Sequence, residues 1–165
     1  QANSVAERLQ PAIFEEAANQ RTGYLLDVVA IDGREIIVCR ILPEHFGGVR
    51  AALDNARVGL ADNWLRHIQD VRDKHQKLLD DIVDAQQRWA CLCELNVLEQ
   101  AINVARTTMV RDCWARDQAL TVHGWIYGLK DGLLRDTGFI VSANDEIDAL
   151  AAQSLDALRR RYVPS

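Results

Sequence analysis

Apolar residues recur at steps of three, four and seven over Trp64, Leu65, Ile68, Val71, Leu78, Leu79, Ile82 and Val83, the spacing of one buried helical face. This predicts a long helix after Gly59, with His75 on the buried stripe and Arg66, Asp70, Asp73, Lys74, Lys77 and Asp81 on the solvated side. A second helix is predicted over about 89–106, striped by Leu95, Leu98, Ala101, Ile102 and Ala105, and a short helical piece over 109–116. The pattern then changes. Residues 120–129 read as a strand, Lys130-Asp131-Gly132 as a turn, and Leu133-Leu134-Arg135 as the start of a return strand. A last helix over 144–161 places Ile147, Leu150, Leu155 and Leu158 inside and ends in Arg159-Arg160-Arg161, charges that suit a helix C-terminus.

The first third is less regular. Residues 1–20 read as a helical arm with Val5, Leu9, Ile13, Phe14 and Ala17 roughly on one face; Asn3 or Ser4 is the expected cap, with Glu7 three residues after Ser4 as in a capping box, and Pro11 is expected to bend or divide the arm. Over 24–42 two readings stand: a hairpin turned at Asp32-Gly33, or a helix running into the strand Glu35-Ile36-Ile37-Val38-Cys39. Pro43 ends that segment, and Gly47-Gly48 opens a helix from Val49 to about Ala56. With no repeat, no low-complexity tract and no seam, the 165 residues are read as one domain: arm 1–20, α/β core 24–141, C-terminal helix 144–161.

Composition narrows the partners. A net charge of −5 disfavours a nucleic-acid backbone or an anionic membrane as partner. No apolar run approaches the ~20 residues of a membrane span, and no leader pattern opens the chain. Four cysteines (Cys39, Cys91, Cys93, Cys113) are too few for a disulfide scaffold, which points to the cytoplasm or another reducing compartment. Cys91 and Cys93 would diverge by roughly 200° on a helix and cannot chelate together. His67 and His75 stand about two helical turns apart, too far for one ion. His123 reads as a satisfied core histidine, and His67 as one that contacts a neighbouring chain or lies at the surface. No phosphate loop and no Ser/His/Asp or Cys/His nucleophile arrangement is present.

Three stretches resemble the β-class carbonic anhydrases, in that family's order and spacing, over about residues 48–141. The first is Gly48-Val49-Arg50-Ala51-Ala52-Leu53 with Gly59-Leu60-Ala61-Asp62-Asn63-Trp64-Leu65-Arg66-His67-Ile68. The second is Leu92-Cys93-Glu94-Leu95-Asn96-Val97-Leu98-Glu99-Gln100 with Asn103-Val104. The third is Leu120-Thr121-Val122-His123-Gly124-Trp125-Ile126-Tyr127-Gly128 with Asp131-Gly132-Leu133-Leu134-Arg135-Asp136. The resemblance implies an α/β fold with a mostly parallel sheet flanked by helices, and a homodimer or higher homo-oligomer. It implies zinc-dependent reversible hydration of CO2 to bicarbonate, in which the metal brings a bound water to a pKa near 7. Apolar helix faces in excess of what a small domain can cover point to the same oligomer.

The family carries its zinc on Cys-x-Asp-x-Arg and on His-x-x-Cys-Gly-Gly, and this chain departs from both. Ahead of Gly47-Gly48 stands Arg40-Ile41-Leu42-Pro43-Glu44-His45-Phe46, without a cysteine. His45 is the one candidate metal ligand, closer to the glycines than the motif requires. Ala30-Ile31-Asp32-Gly33-Arg34 keeps the aspartate–arginine spacing with alanine in the cysteine's place, so Asp32 and Arg34 are candidate catalytic remnants. Gly47, Gly48 and Tyr127 are candidate binding residues. In one subgroup the matching tyrosine helps form a second, inhibitory bicarbonate pocket that also needs an upstream tryptophan and an arginine. The expectation is a catalytically silent homologue with no zinc of its own, a structural or regulatory subunit beside copies of itself or an active paralogue. The alternative is an active zinc carbonic anhydrase, binding CO2 and bicarbonate, whose ligand-bearing segments lie outside this sequence.

Overall fold

The computed structural model describes residues 24–31, 34–41, 47–54, 62–127 and 133–163, and only the backbone over 24–41, 47–48, 62–64 and 127. Along the chain these form β1 (Tyr24–Ile31), β2 (Arg34–Ile41), α1 (Gly47–Leu53), α2 (Asp62–Lys74), α3 (Gln76–Asp80), α4 (Ala85–Ala105), α5 (Thr108–Ala115), β3 (Leu120–Tyr127), β4 (Leu134–Val141), a 3-10 turn (Asn144–Glu146) and α6 (Ile147–Tyr162). The predicted N-terminal arm lies outside the described residues.

The sheet runs β1-β2-β3-β4. Of the two readings of residues 24–42, the hairpin holds: β1 and β2 are antiparallel, with Tyr24 opposite Ile41 and Ile31 opposite Arg34. The predicted hairpin of β3 and β4 is also present. The α/β class stands, but the expected mostly parallel sheet needs correction. Among the described strands only β2–β3 is parallel. Connection length explains this: two residues join β1 to β2 and six join β3 to β4, whereas a parallel pair needs a crossover of a dozen or more. Only the β2–β3 connection, which carries α1 to α5, is long enough.

The helix predicted after Gly59 is broken. His75 leaves helical geometry at φ −110°, and its carbonyl accepts from both Leu78 and Leu79 N–H as α3 begins. Its ring turns inward to Glu99, 2.7 Å away on α4. Because α3 ends at Asp80, Val83 leaves the buried stripe on which its spacing put it and is 93% exposed. Helix α4 starts four residues before its predicted start, where the Asp84 carboxylate accepts the Gln87 N–H at 2.7 Å, an N-cap that hydrophobic spacing does not reveal.

Helix α4 is the centre of the molecule. It packs on β2, β3 and β4 and against α6. Leu92, Leu95 and Leu98 are fully buried with Phe139 of β4, Leu158 of α6 and Ile68 of α2. The helix comes so close to β3 that a Cβ on Gly124 would stand 3.4 Å from Val97 and 3.6 Å from Ala101. The same position is crowded by Thr137, whose hydroxyl donates to the Gly124 carbonyl at 2.8 Å. The terminal arginines of α6 also make a specific contact: Arg161 and the Tyr162 hydroxyl both donate to Glu94 of α4, at 2.5 and 2.6 Å.

Candidate functional site

Parallel pairing of β2 and β3 gives the sheet a C-terminal end, and that is where the glycine pair lies in the chain. Ile41 closes β2 opposite Ile126, next to Tyr127, the last residue of β3. Five residues separate Ile41 from Gly47-Gly48, which opens α1. Backbone topology therefore gathers the end of β2, the start of Tyr24–Ile31 and Tyr127 at one end of the sheet. Arg34 begins β2, seven steps from Ile41 and hence ~23 Å away along the strand. The backbone does not bring Arg34 to the end where Tyr127 lies. Asp32 and His45 lie outside the described residues.

A zinc site of the family's kind needs two thiolates and an imidazole. The thiols that are described do not meet that need. Cys91 and Cys93 are buried on α4, and burial, reinforced by the Glu94 carboxylate, pushes each thiol up to about 12. Cys113, half-buried on α5, has the Arg116 guanidinium at 3.8 Å. Among the described residues no three of His, Cys, Asp and Glu converge as a metal site. The described side chains do not fit a zinc ion.

Two polar clusters in the core were not anticipated as such. The first joins α2, the break at His75 and α4. Glu99 accepts from Lys74 Nζ at 2.7 Å and pairs with His75 Nε2 at 2.7 Å. Burial works to raise the Glu99 carboxyl, but the hydrogen bonds and charges of His75 and Lys74 outweigh it and hold the group below the usual range. His75 on an apolar stripe was the available signal for such a pair; its partner is far along the chain and could not be read from spacing.

The second cluster lies in β3. His123 is 6% exposed and its ring stands 5.0 Å from the Trp125 ring, at 55°. Its Nδ1 has no hydrogen-bond partner among the described residues. The expectation of a core histidine is met in burial and not in satisfaction. Desolvation pushes its pKa down to about 4. The β3–β4 register slips between His123 and Trp125. Asp136, opposite Trp125, is raised by burial against the pull of the Gly138 N–H and the nearby Trp125 indole. Gly138 itself has φ +87°, a conformation suited to glycine, and donates to Asp136 at 2.7 Å.

The family model described as carbonic anhydrase matches residues 27–134. A carbonic anhydrase of Emericella nidulans is 42% identical over 105 residues, which is 62% of this chain and 44% of that protein. Among solved structures, a Coccomyxa β-carbonic anhydrase in complex with acetazolamide superposes with a TM-score of 0.59 at 25% identity, over 74% of this chain and 56% of the other. One of two tetrameric β-carbonic anhydrases from Sordaria macrospora gives 0.55 at 26% identity, over 64% and 52%. The chain thus spans about half the length of the relatives it matches.

Proposed function

The chain belongs to the β-class carbonic anhydrase family, and from that premise we propose that it is a catalytically silent member, a structural or regulatory subunit that keeps the family's core without a zinc site of its own. The carrying observation is the link between β2 and α1. The strand and the Gly47-Gly48 helix start are both in place. The five residues between them, Leu42-Pro43-Glu44-His45-Phe46, hold one imidazole and no thiol. At the other candidate motif, Ala30 stands where a thiolate is required and is built into β1. A single imidazole cannot hold zinc at the tetrahedral N/S site the hydration chemistry uses. Arg34, at the far end of β2, carries no catalytic part in this reading.

As a subunit, the chain associates with copies of itself or with an active paralogue. The Sordaria relatives are described as tetrameric, which supports assembly. Among the described residues no helix is long and apolar enough to cross a membrane. Cys91, Cys93 and Cys113 are free thiols, which supports a reducing compartment such as the cytoplasm.

A second reading, an active zinc enzyme whose ligand segments lie outside this sequence, is favoured by the half-length coverage of the relatives. Elemental analysis of the purified protein, with intact mass and CO2-hydration rate on the same sample, separates the two. Silence predicts no stoichiometric zinc and no rate above buffer, whatever the intact mass. About one zinc per chain with catalysed hydration overturns it.

A further inference from the structure

A cleft of about 430 Å³ lies away from the sheet, between the end of α1, the α2–α3 break and the first turn of α4. Arg50, Arg72 and Arg88 reach it from three different helices, beside Asp54, Asp73 and Asp80. The three cations differ in what they already hold. The Arg72 guanidinium is forked onto Asp73, at 2.6 and 2.8 Å, and also donates to the Ala52 carbonyl at the end of α1. Arg88 gives Nε and Nη2 to the Ile82 carbonyl and meets no carboxylate among the described residues. Arg50 lies over the Trp89 ring, 5.8 Å from its centroid, with a single long contact to Gln86 Oε1 at 3.4 Å. Two guanidiniums without an anionic partner among the described residues therefore line one cavity, each oriented by a neutral contact. Helix α4, 21 residues long, presents its N-terminal turn there, with Ala85 in the wall, and adds its dipole to the same field.

We propose that this cleft binds a compact phosphate monoester carrying hydroxyl groups. Guanidinium forks match the oxygens of a phosphate in pairs, which a Lys cannot do, and Arg50 and Arg88 have N–H groups left to give. The carboxylates beside the arginines set the rest of the ligand. Asp73 is neutralised by Arg72, while Asp54 and Asp80 present acceptor oxygens that suit hydroxyl donors and repel further negative charge. Three cations balanced by three anions disfavour a polyphosphate and fit one phosphoryl group on a small polyol. The volume lies within the range of small-ligand sites.

Calorimetric titration of the full chain with glycerol 3-phosphate, and in parallel with inorganic phosphate, tests this. Saturable one-to-one binding is expected, weakening with added salt as screening requires. Arg50→Gln, at an exposed residue, should weaken it at least tenfold with unchanged circular dichroism and melting temperature. Arg88→Gln should do the same; because Arg88 also holds the Ile82 turn, its loss of binding counts only if the melting temperature is retained. Asp80→Asn should weaken glycerol 3-phosphate and leave or improve inorganic phosphate. Absence of saturable binding, or binding indifferent to Arg50→Gln, overturns the site. Equal affinity for the two probes overturns the hydroxyl requirement.

Discussion

Strands β1 and β2 pair through eight consecutive residues without interruption, whereas β3 and β4 break step between His123 and Trp125. The first hairpin is held by a ladder and a two-residue link, both local. The second is shaped from outside: Gly124 is fitted between α4 and Thr137, and Gly138 takes a left-handed turn beside Asp136. The family match runs from residue 27 to residue 134, so it covers most of the first hairpin and ends at the first residue of β4; what the first hairpin lacks is the thiolate pattern alone. A regular ladder can be built by many sequences, whereas a bulge packed under a helix depends on particular residues.

The largest effect is expected from Ile37→Pro. Ile37 sits in β2 between Val28 and Val122, an interior position that proline disrupts on the ladder. Loss of ~3 kcal/mol or more in urea unfolding is expected; a loss below ~1 kcal/mol would mean that β2 is not an interior strand and would remove the first hairpin from the comparison.

Acid sharpens the contrast at the second hairpin. His123 has its folded pKa near 4 against an ordinary 6.5, so above pH 6.5 it is neutral in both states and contributes nothing. Below 6.5 the unfolded chain takes up a proton that the folded chain refuses, and stability falls until about pH 4. The full difference is roughly 3 kcal/mol. Glu99, held low, also loses its contribution in acid as pH falls through its folded value, and Asp136, held high, works in the opposite sense. The His123 share is isolated by comparison with His123→Leu, whose unfolding free energy should be visibly flatter between pH 6.5 and 4. An unchanged slope would show that His123 is hydrated or paired.

Gly124→Ala probes the fit under α4. The new Cβ would lie 2.7 Å from Thr137 Oγ1, an atom already committed to the Gly124 carbonyl on a short branched side chain. A cost of ~1–3 kcal/mol is expected, with recovery when Thr137→Ala is added. The smallest effect belongs to Asp84→Ala, which removes the cap of α4 outside either hairpin. About 1 kcal/mol by chemical denaturation is expected, with no change in the acid slope.

The failure of one long-helix reading shows where sequence stops informing. Periodicity put His75 and Val83 on one buried stripe. It found His75 correctly and missed Val83, because an apolar repeat does not say where a helix stops and α3 ends at Asp80. The break between α2 and α3 is equally invisible to it, since His75 there turns to a residue 24 positions later. The start of α4 was missed for the converse reason: the Asp84 cap is local, but it is polar chemistry and leaves no trace in an apolar repeat. No spacing singles out Arg50, Arg72 and Arg88; they come together only where three helices meet.

By itself the sequence determined the α/β class, the β3–β4 hairpin, the helices now seen as α4, α5 and α6, and the absence of the family's thiolate pattern beside Gly47-Gly48. These depend on residue type at short spacing, which the chain states directly. Only the tertiary structure decided that β1 turns back on β2 rather than entering as a helix, and that the sheet holds one parallel pairing among its described strands. It alone decided that Arg34 stands a strand's length from the end where Tyr127 lies, that Glu99 partners His75, and that His123 is buried with a nitrogen unpaired among the described residues. Each of these is a relation between residues distant in the chain, fixed by which surfaces exclude water together, and no local pattern encodes it.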